Sequence, residues 1–150
     1  MEIRHLLVPT DFSEASQQAL AYAVGVARAC GAKLTLLHVV ELPSYLTDGH
    51  APAHMTTALR DDMQESAQQE LARLLPEGAG TPVEIARQVA VGVPHQKILE
   101  TAAAEQVDWI VMATHGRTGL SHLVMGSVAE RVVRTAPCPV LTIRPAAEQA

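Results

Sequence analysis

Aromatic residues are scarce in this chain of 150 residues: one Trp, one Phe and two Tyr make up 3%, against 48% hydrophobic residues. A core must therefore be assembled from Ala, Val, Leu and Ile, the palette of helices packed on a parallel sheet. Cysteine is as sparse. Cys30 and Cys138 stand far apart with no CxxC pair, which argues against a disulfide framework and predicts the reduced thiols of a cytoplasmic protein. Positive charge is also short, with 11 Lys and Arg against 16 Asp and Glu and a formal net charge of −5. Such a balance speaks against the wide basic surface that nucleic acid or an anionic membrane face requires. No apolar run reaches the roughly 20 residues of a membrane span, and the N-terminus enters a strand pattern within a few residues, so neither export nor a membrane span is expected. An anionic ligand would have to be held locally, by backbone N–H groups and a few side chains.

The pattern along the chain alternates strands with helices. Leu6, Leu7 and Val8 form an apolar run stopped by Pro9, after which Ser13 can cap a helix and Glu14 favours its first turn. Ala15, Ala19, Tyr22, Val26 and Cys30 recur at helical spacing, with Gly31 as the stop. Leu34 to Val40 is a nearly continuous apolar strand, expected to be covered on both faces. From Glu41 to His54 the residues turn to Pro, Ser, Thr, Asp, Gly and His, the composition of a mobile loop of functional length, here a candidate lid. Leu59, Met63, Ala67, Leu71 and Leu74 trace the next helix, and Val83 and Ile85 begin a strand near the sheet edge. Gly92-Val93-Pro94 starts a helix with Ile98, Leu99, Ala102 and Ala103 inward, Trp109 to Ala113 is a fourth strand, Val128, Val132 and Val133 mark a last helix, and Val140 to Ile143 closes the order. Strands alternating with helices imply right-handed crossovers and an α/β fold: one domain over 1–150, a three-layer αβα sandwich on a five-stranded, mainly parallel, doubly wound sheet.

In such sheets ligands bind beyond the strand C-termini, where the winding reverses. If the two most apolar strands, one and four, are central neighbours, the segments over that crevice are Pro9-Thr10-Asp11 and Ala113 to Ser127. Gly116 would let the backbone approach a phosphate, Gly126-Ser127 would offer free N–H groups and a hydroxyl at a helix N-terminus, and Arg117 would add a positive charge. Neither GxGxxG after the first strand nor GxxxxGK[ST] is present, which counts against hydride transfer and P-loop chemistry.

What is present, Thr114-His115-Gly116, nine residues, then Gly126-Ser127, resembles the G-x2-G-x9-G-[ST] motif of the universal stress protein family. Leu7-Val8-Pro9-Thr10-Asp11-Phe12-Ser13, Leu37-His38-Val39 and Pro137-Cys138-Pro139-Val140-Leu141 are similar to that family in the same order, so the resemblance spans essentially the whole chain. It implies ATP as ligand, with Mg²⁺ arriving on its phosphates. Pro9, Thr10, Asp11 and Val39 would hold adenine and ribose, Met112 and Ala113 would line the base-to-ribose side, and Gly116, Gly126, Ser127 and Val128 would take the phosphates, flanked by His115 and Arg117. The motif's first glycine is Ala113 here, a change expected to cost little at a strand end, where φ is negative. The resemblance further implies a homodimer through strand 140–143, an edge that invites pairing, and a regulatory protein partner of unknown identity.

Other readings stand beside these. Asp11 has the chemistry of a helix cap as well as of a base ligand, and the two glycines that of turn residues. His50 and His54 have a metal-like separation but no evident third ligand. His115 with Ser127 lacks an orienting acid for nucleophilic catalysis, and His38 inside an apolar strand reads as a hydrogen-bonded core histidine. No general base or carboxylate pair for metal ions is evident, so binding without fast turnover is expected. Three other functions fit the architecture: slow ATP hydrolysis or adenylation recruiting Asp11 and His115, a stress protein that acts without nucleotide through dimer and protein contacts, and an adenine-cofactor module needing a second domain.

Overall fold

The computed structural model describes residues 2–74, 82–116 and 124–145. The elements are β1 (His5–Pro9), α1 (Glu14–Cys30), β2 (Lys33–Val40), α2 (Ser44–Thr47), α3 (Ala53–Arg73), β3 (Ile85–Val91), α4 (Pro94–Ala104), β4 (Trp109–Ala113), α5 (Ser127–Thr135) and β5 (Val140–Ile143). Their sheet runs β3-β2-β1-β4-β5, with every neighbouring pair parallel. Successive strand residues face opposite sides, and the core divides accordingly. Leu6, Val8, Leu34, Leu36 and Val111 pack with α1 and with Leu71 of α3. Leu7, Leu37, Ile110 and Met112 pack with α4 and α5 on the other face. This is the doubly wound sandwich that strand–helix alternation predicts.

Local chemistry explains the boundaries. Ser13 caps α1 by accepting from Ser16 N at 3.2 Å. Gly31 ends that helix with φ +69, a left-handed conformation that glycine adopts without a Cβ penalty. The buried stripe of α1 differs from the sequence expectation: Ser16, Ala19, Leu20, Ala23, Val24 and Ala27 face inward, while Tyr22 is 55% exposed and Cys30 is on the surface. Small residues occupy so much of this helix that residue size did not mark the buried side. Ala103 of α4 is likewise exposed, while Ile98 and Ala102 carry its packing. Residues 41–54 are not an unbroken loop. Pro43 and Pro52, which break a sequence pattern, instead precede helix starts: their carbonyls accept from Leu46 N and Met55 N, both at 3.0 Å, opening α2 and α3. β3 begins at Ile85, leaving Val83 before it, and lies at the sheet edge.

A polar cluster fastens the opposite pole of the sheet. Thr35 donates its hydroxyl proton to Glu105 Oε2 at 2.8 Å, so at its 2.9 Å contact with His5 Nε2 the ring must be the donor. Gln88 donates to the other oxygen of Glu105, the residue that ends α4. Burial, reinforced by Lys33 and opposed by Glu105, holds His5 below the ordinary histidine pKa. The unfolded chain therefore takes up this proton first as pH falls. Stability from this site is complete above about pH 6.5 and is lost as pH drops through the folded value. Urea denaturation should show lower stability at pH 5.5 than at 7.5, and His5→Gln, which keeps a donor at the same reach, should flatten that difference. Asp108, held below the ordinary aspartate range by the backbone N–H groups of Arg4 and His5, leaves this window undisturbed.

Candidate functional site

β1 and β4 are central neighbours whose chains depart to opposite faces, β1 into α1 and β4 towards α5. Their divergence opens a crevice beyond the strand ends. A cavity of about 970 Å³ lies there.

One wall is the turn after β1. Thr10 N donates to Leu37 O at 2.8 Å, tying the turn to β2. Ser16 uses its only hydroxyl proton on Ser13 O at 2.8 Å, so Thr10 must donate across its 3.0 Å contact with Ser16 Oγ. Thr10 Oγ1 in turn accepts from Phe12 N at 3.1 Å. Asp11 Oδ1 accepts from Ser13 N at 3.0 Å, a turn-forming bond, while its other oxygen faces Gly116. A Cβ built on Gly116 would stand 2.6 Å from Asp11 Oδ2, so any larger residue must push the Asp11 carboxylate aside; close approach, rather than unusual φ, favours glycine there. His38 Nδ1 lies 2.8 Å from Thr10 O, and because a carbonyl can only accept, that nitrogen carries the proton.

The second wall is the exit of β4 and the start of α5. Met112 and Ala113 are buried strand residues, and Ala113 is absent from the positive-φ positions, so its methyl group carries no backbone strain. Thr114 N donates to Ile143 O at 3.0 Å and Gly126 N to Thr114 O at 2.7 Å, closing the base of the intervening loop. Gly126 precedes α5 without a side-chain cap. The first N–H groups of that helix, at Ser127 and Val128, have no intrahelical partners, and both residues line the cavity.

Pro9, Thr10, Asp11, Val39, Met112, Ala113, His115, Gly116, Gly126, Ser127 and Val128 all line this one cavity. Arg117 lies outside the described residues. The structure adds Phe12 and Ser16, and from α3 Met63, Ser66 and Glu70. The four-residue steps Met63–Ala67 and Ser66–Glu70 were the available signal for the α3 wall, hidden because that helix reads as a generic solvated one. His38, expected in the core, is hydrogen-bonded as predicted and lines the cavity as well. His50 and His54 are exposed and outside it. His115 Nδ1 bonds Thr114 Oγ1 at 2.8 Å, and its buried Nε2 has no hydrogen-bond partner among the described residues. Among the described residues the cavity wall includes Asp11, Glu41 and Glu70 but no Lys or Arg, so an anion there depends on backbone N–H groups and the dipole of α5.

The universal stress protein family model matches residues 2–144. The chain belongs to the universal stress protein family. It is 32% identical over 142 residues to universal stress protein MJ0531 of Methanocaldococcus jannaschii, covering 94% of this chain and 82% of that protein. The solved structure of MJ0577, from the same organism, superposes with a TM-score of 0.84 at 27% identity, over 97% of this chain and 99% of that one. A universal stress protein solved in complex with cAMP shares the fold, with a TM-score of 0.62 and 22% identity over 96% and 98% of the two chains. No helix among the described residues of this universal stress protein is long and apolar enough to cross a membrane.

Proposed function

We propose that this universal stress protein, one domain over 1–150, is an ATP-binding regulatory module of a cytoplasmic stress response that works as a homodimer and signals to a protein partner. The observation that carries the reading is the N-terminus of α5, without a side-chain cap and lining the cavity with Ser127 beside Gly116. Free N–H groups and a helix dipole aimed into a crevice select phosphate. Pro9, Thr10, Asp11 and Val39 would flank base and ribose, Met112 and Ala113 the span between, and His115, Gly116, Arg117, Gly126, Ser127 and Val128 the phosphates. The cAMP complex of a relative supports an adenine nucleotide as the class. Mg²⁺ would be carried in by the phosphates, since no group of three or more His, Cys, Asp or Glu among the described residues is placed to hold a metal.

Calorimetric titration with ATP and Mg²⁺ tests this. Micromolar binding supports the reading, and ADP release measured alongside reports any slow hydrolysis. No binding by a folded protein would assign function to protein contacts, with the buried Ala113 methyl in the cavity wall as the feature that separates this chain from nucleotide binders.

The dimer has its own test. Ile110 N donates to Pro139 O and Thr114 N to Ile143 O, so odd-numbered residues of β5 turn their backbone groups to β4. In a parallel ladder the intervening residues turn away, which leaves the N–H and C=O of Val140 and Thr142 on the free sheet edge. Antiparallel pairing of two such edges would form the dimer. Thr142→Pro removes an edge donor without touching β4; sedimentation should show a dimer for the parent chain and a monomer for the variant.

A further inference from the structure

Residues 41–52 leave the sheet where β2 ends and supply part of the cavity wall, yet little fastens them to the body. Glu41, Leu42, Pro43 and Ser44 line the cavity. Among the described residues, every hydrogen bond of 42–51 stays inside the segment: Pro43 O accepts from Leu46 N at 3.0 Å, and Ser44 O accepts from Asp48 N and from Thr47 Oγ1, both at 2.9 Å. No ion pair among the described residues reaches it. Leu46, 8% exposed, is its single buried side chain. Segments held by so few buried contacts open at low cost in free energy, and lids are drawn from them. Between α2 and α3 the chain turns at Gly49, φ +78, a residue that without a Cβ can absorb a change of backbone direction. Pro52 is built into the first turn of α3, its carbonyl accepting from Met55 N and Thr56 N, so the swing ends there.

The same rim leaves apolar surface open. Tyr45 is 63% and Val93 41% exposed, although their chain neighbours Ser44 and Pro94 line the cavity. Gly92 N donates to Val40 O at 3.0 Å and brings the two segments side by side. We propose that α2 is a lid: when the cavity is occupied it closes about Gly49 and carries Tyr45 from solvent onto the ligand, so that the face a protein partner meets differs between the empty and the occupied state. A ligand shifts a two-state equilibrium only through contacts that differ between the states, and the Tyr45 ring, buried against the ligand only when α2 is closed, supplies that difference. The inference rests on the nucleotide reading above and adds how occupancy becomes visible outside the cavity.

The test is amide hydrogen exchange on the full chain with and without ATP and Mg²⁺, with calorimetry on the same samples. Amides 44–49 are expected to exchange roughly tenfold or more slowly in the bound protein, because local opening there becomes costlier. Tyr45→Ala changes an exposed side chain and leaves the core intact; it should lose roughly two- to tenfold in ATP affinity, the scale of one aromatic contact, and with it the added protection at 44–49. Tyr45→Phe should keep both. Micromolar ATP binding with unchanged exchange at 44–49 overturns the lid while leaving the nucleotide site standing. So does a Tyr45→Ala chain that binds and protects as the parent does. A parent chain that binds no ATP overturns both readings together.

Discussion

Gly116→Asp is expected to abolish ATP binding, lowering affinity by at least about 100-fold, while the fold survives. Gly116 is exposed and belongs to no helix or strand, so the core is untouched. Any Cβ at this position must displace Asp11 Oδ2, which lies 2.6 Å away, and Asp11 is anchored through its other oxygen to Ser13 N. The aspartate would add a second carboxylate beside the first, at the place proposed for the phosphates. Like charges brought together in an interface cost several kcal/mol, and each ~1.4 kcal/mol is tenfold in affinity. The described cavity wall has no Lys or Arg to offset the repulsion. Gly116→Asn, of equal size and no charge, separates the two causes: calorimetry should find it weakened through the Asp11 clash but stronger than the aspartate variant. Retention of micromolar ATP binding by Gly116→Asp would remove this loop from the phosphate site.

Leu36→Ala should be the costliest of the conservative truncations, destabilising the protein by about 2–5 kcal/mol. Leu36 is fully buried in β2, packed between the sheet and the α1–α3 layer, where close-packed neighbours cannot collapse into the space left behind. For a chain of this size the thermal midpoint should fall by roughly 5–20 °C. Leu59→Ala is the comparison. It sits in the first half of α3, whose buried residues are only Ala67 and Leu71, and it is partly exposed. Truncation there should cost under about 1 kcal/mol. Equal losses in urea denaturation would mean that the first half of α3 is packed far more tightly than its exposure shows.

The site was legible where chemistry and sequence spacing coincide. Thr114-His115-Gly116 and Gly126-Ser127 announce a loop that returns to a helix start, and the Gly126 N to Thr114 O bond shows why that spacing matters: it closes the base of the loop. Pro9-Thr10-Asp11 was visible because a proline-stopped strand followed by a cap marks a turn. Phe12 was passed over, although it stands beside these residues, because its left-handed backbone has no sequence signature in a non-glycine residue. The α3 wall was missed for a different reason. Met63 and Ser66 line the cavity because α3 packs beside β2, and that placement is a property of packing.

Sequence alone determined the element order and the parallel sheet, through hydrophobic period, capping residues and the handedness of crossovers, all of which act over short stretches of chain. The apolar runs of β1 and β4 pointed to them as central neighbours, the alternation and last place of β5 favoured an edge, and family membership was carried by motif resemblance, above all Thr114-His115-Gly116 with Gly126-Ser127. Tertiary structure alone decided which face of the alanine-rich α1 is buried, that Pro43 and Pro52 start helices instead of bounding a loop, and that Glu105 and His5, 100 positions apart, share one buried cluster. Tertiary structure also set Asp11 against Gly116 and Phe12 against His38. Each of these depends on groups distant in sequence competing for the same space, and close packing resolves that competition only once the whole sheet has formed.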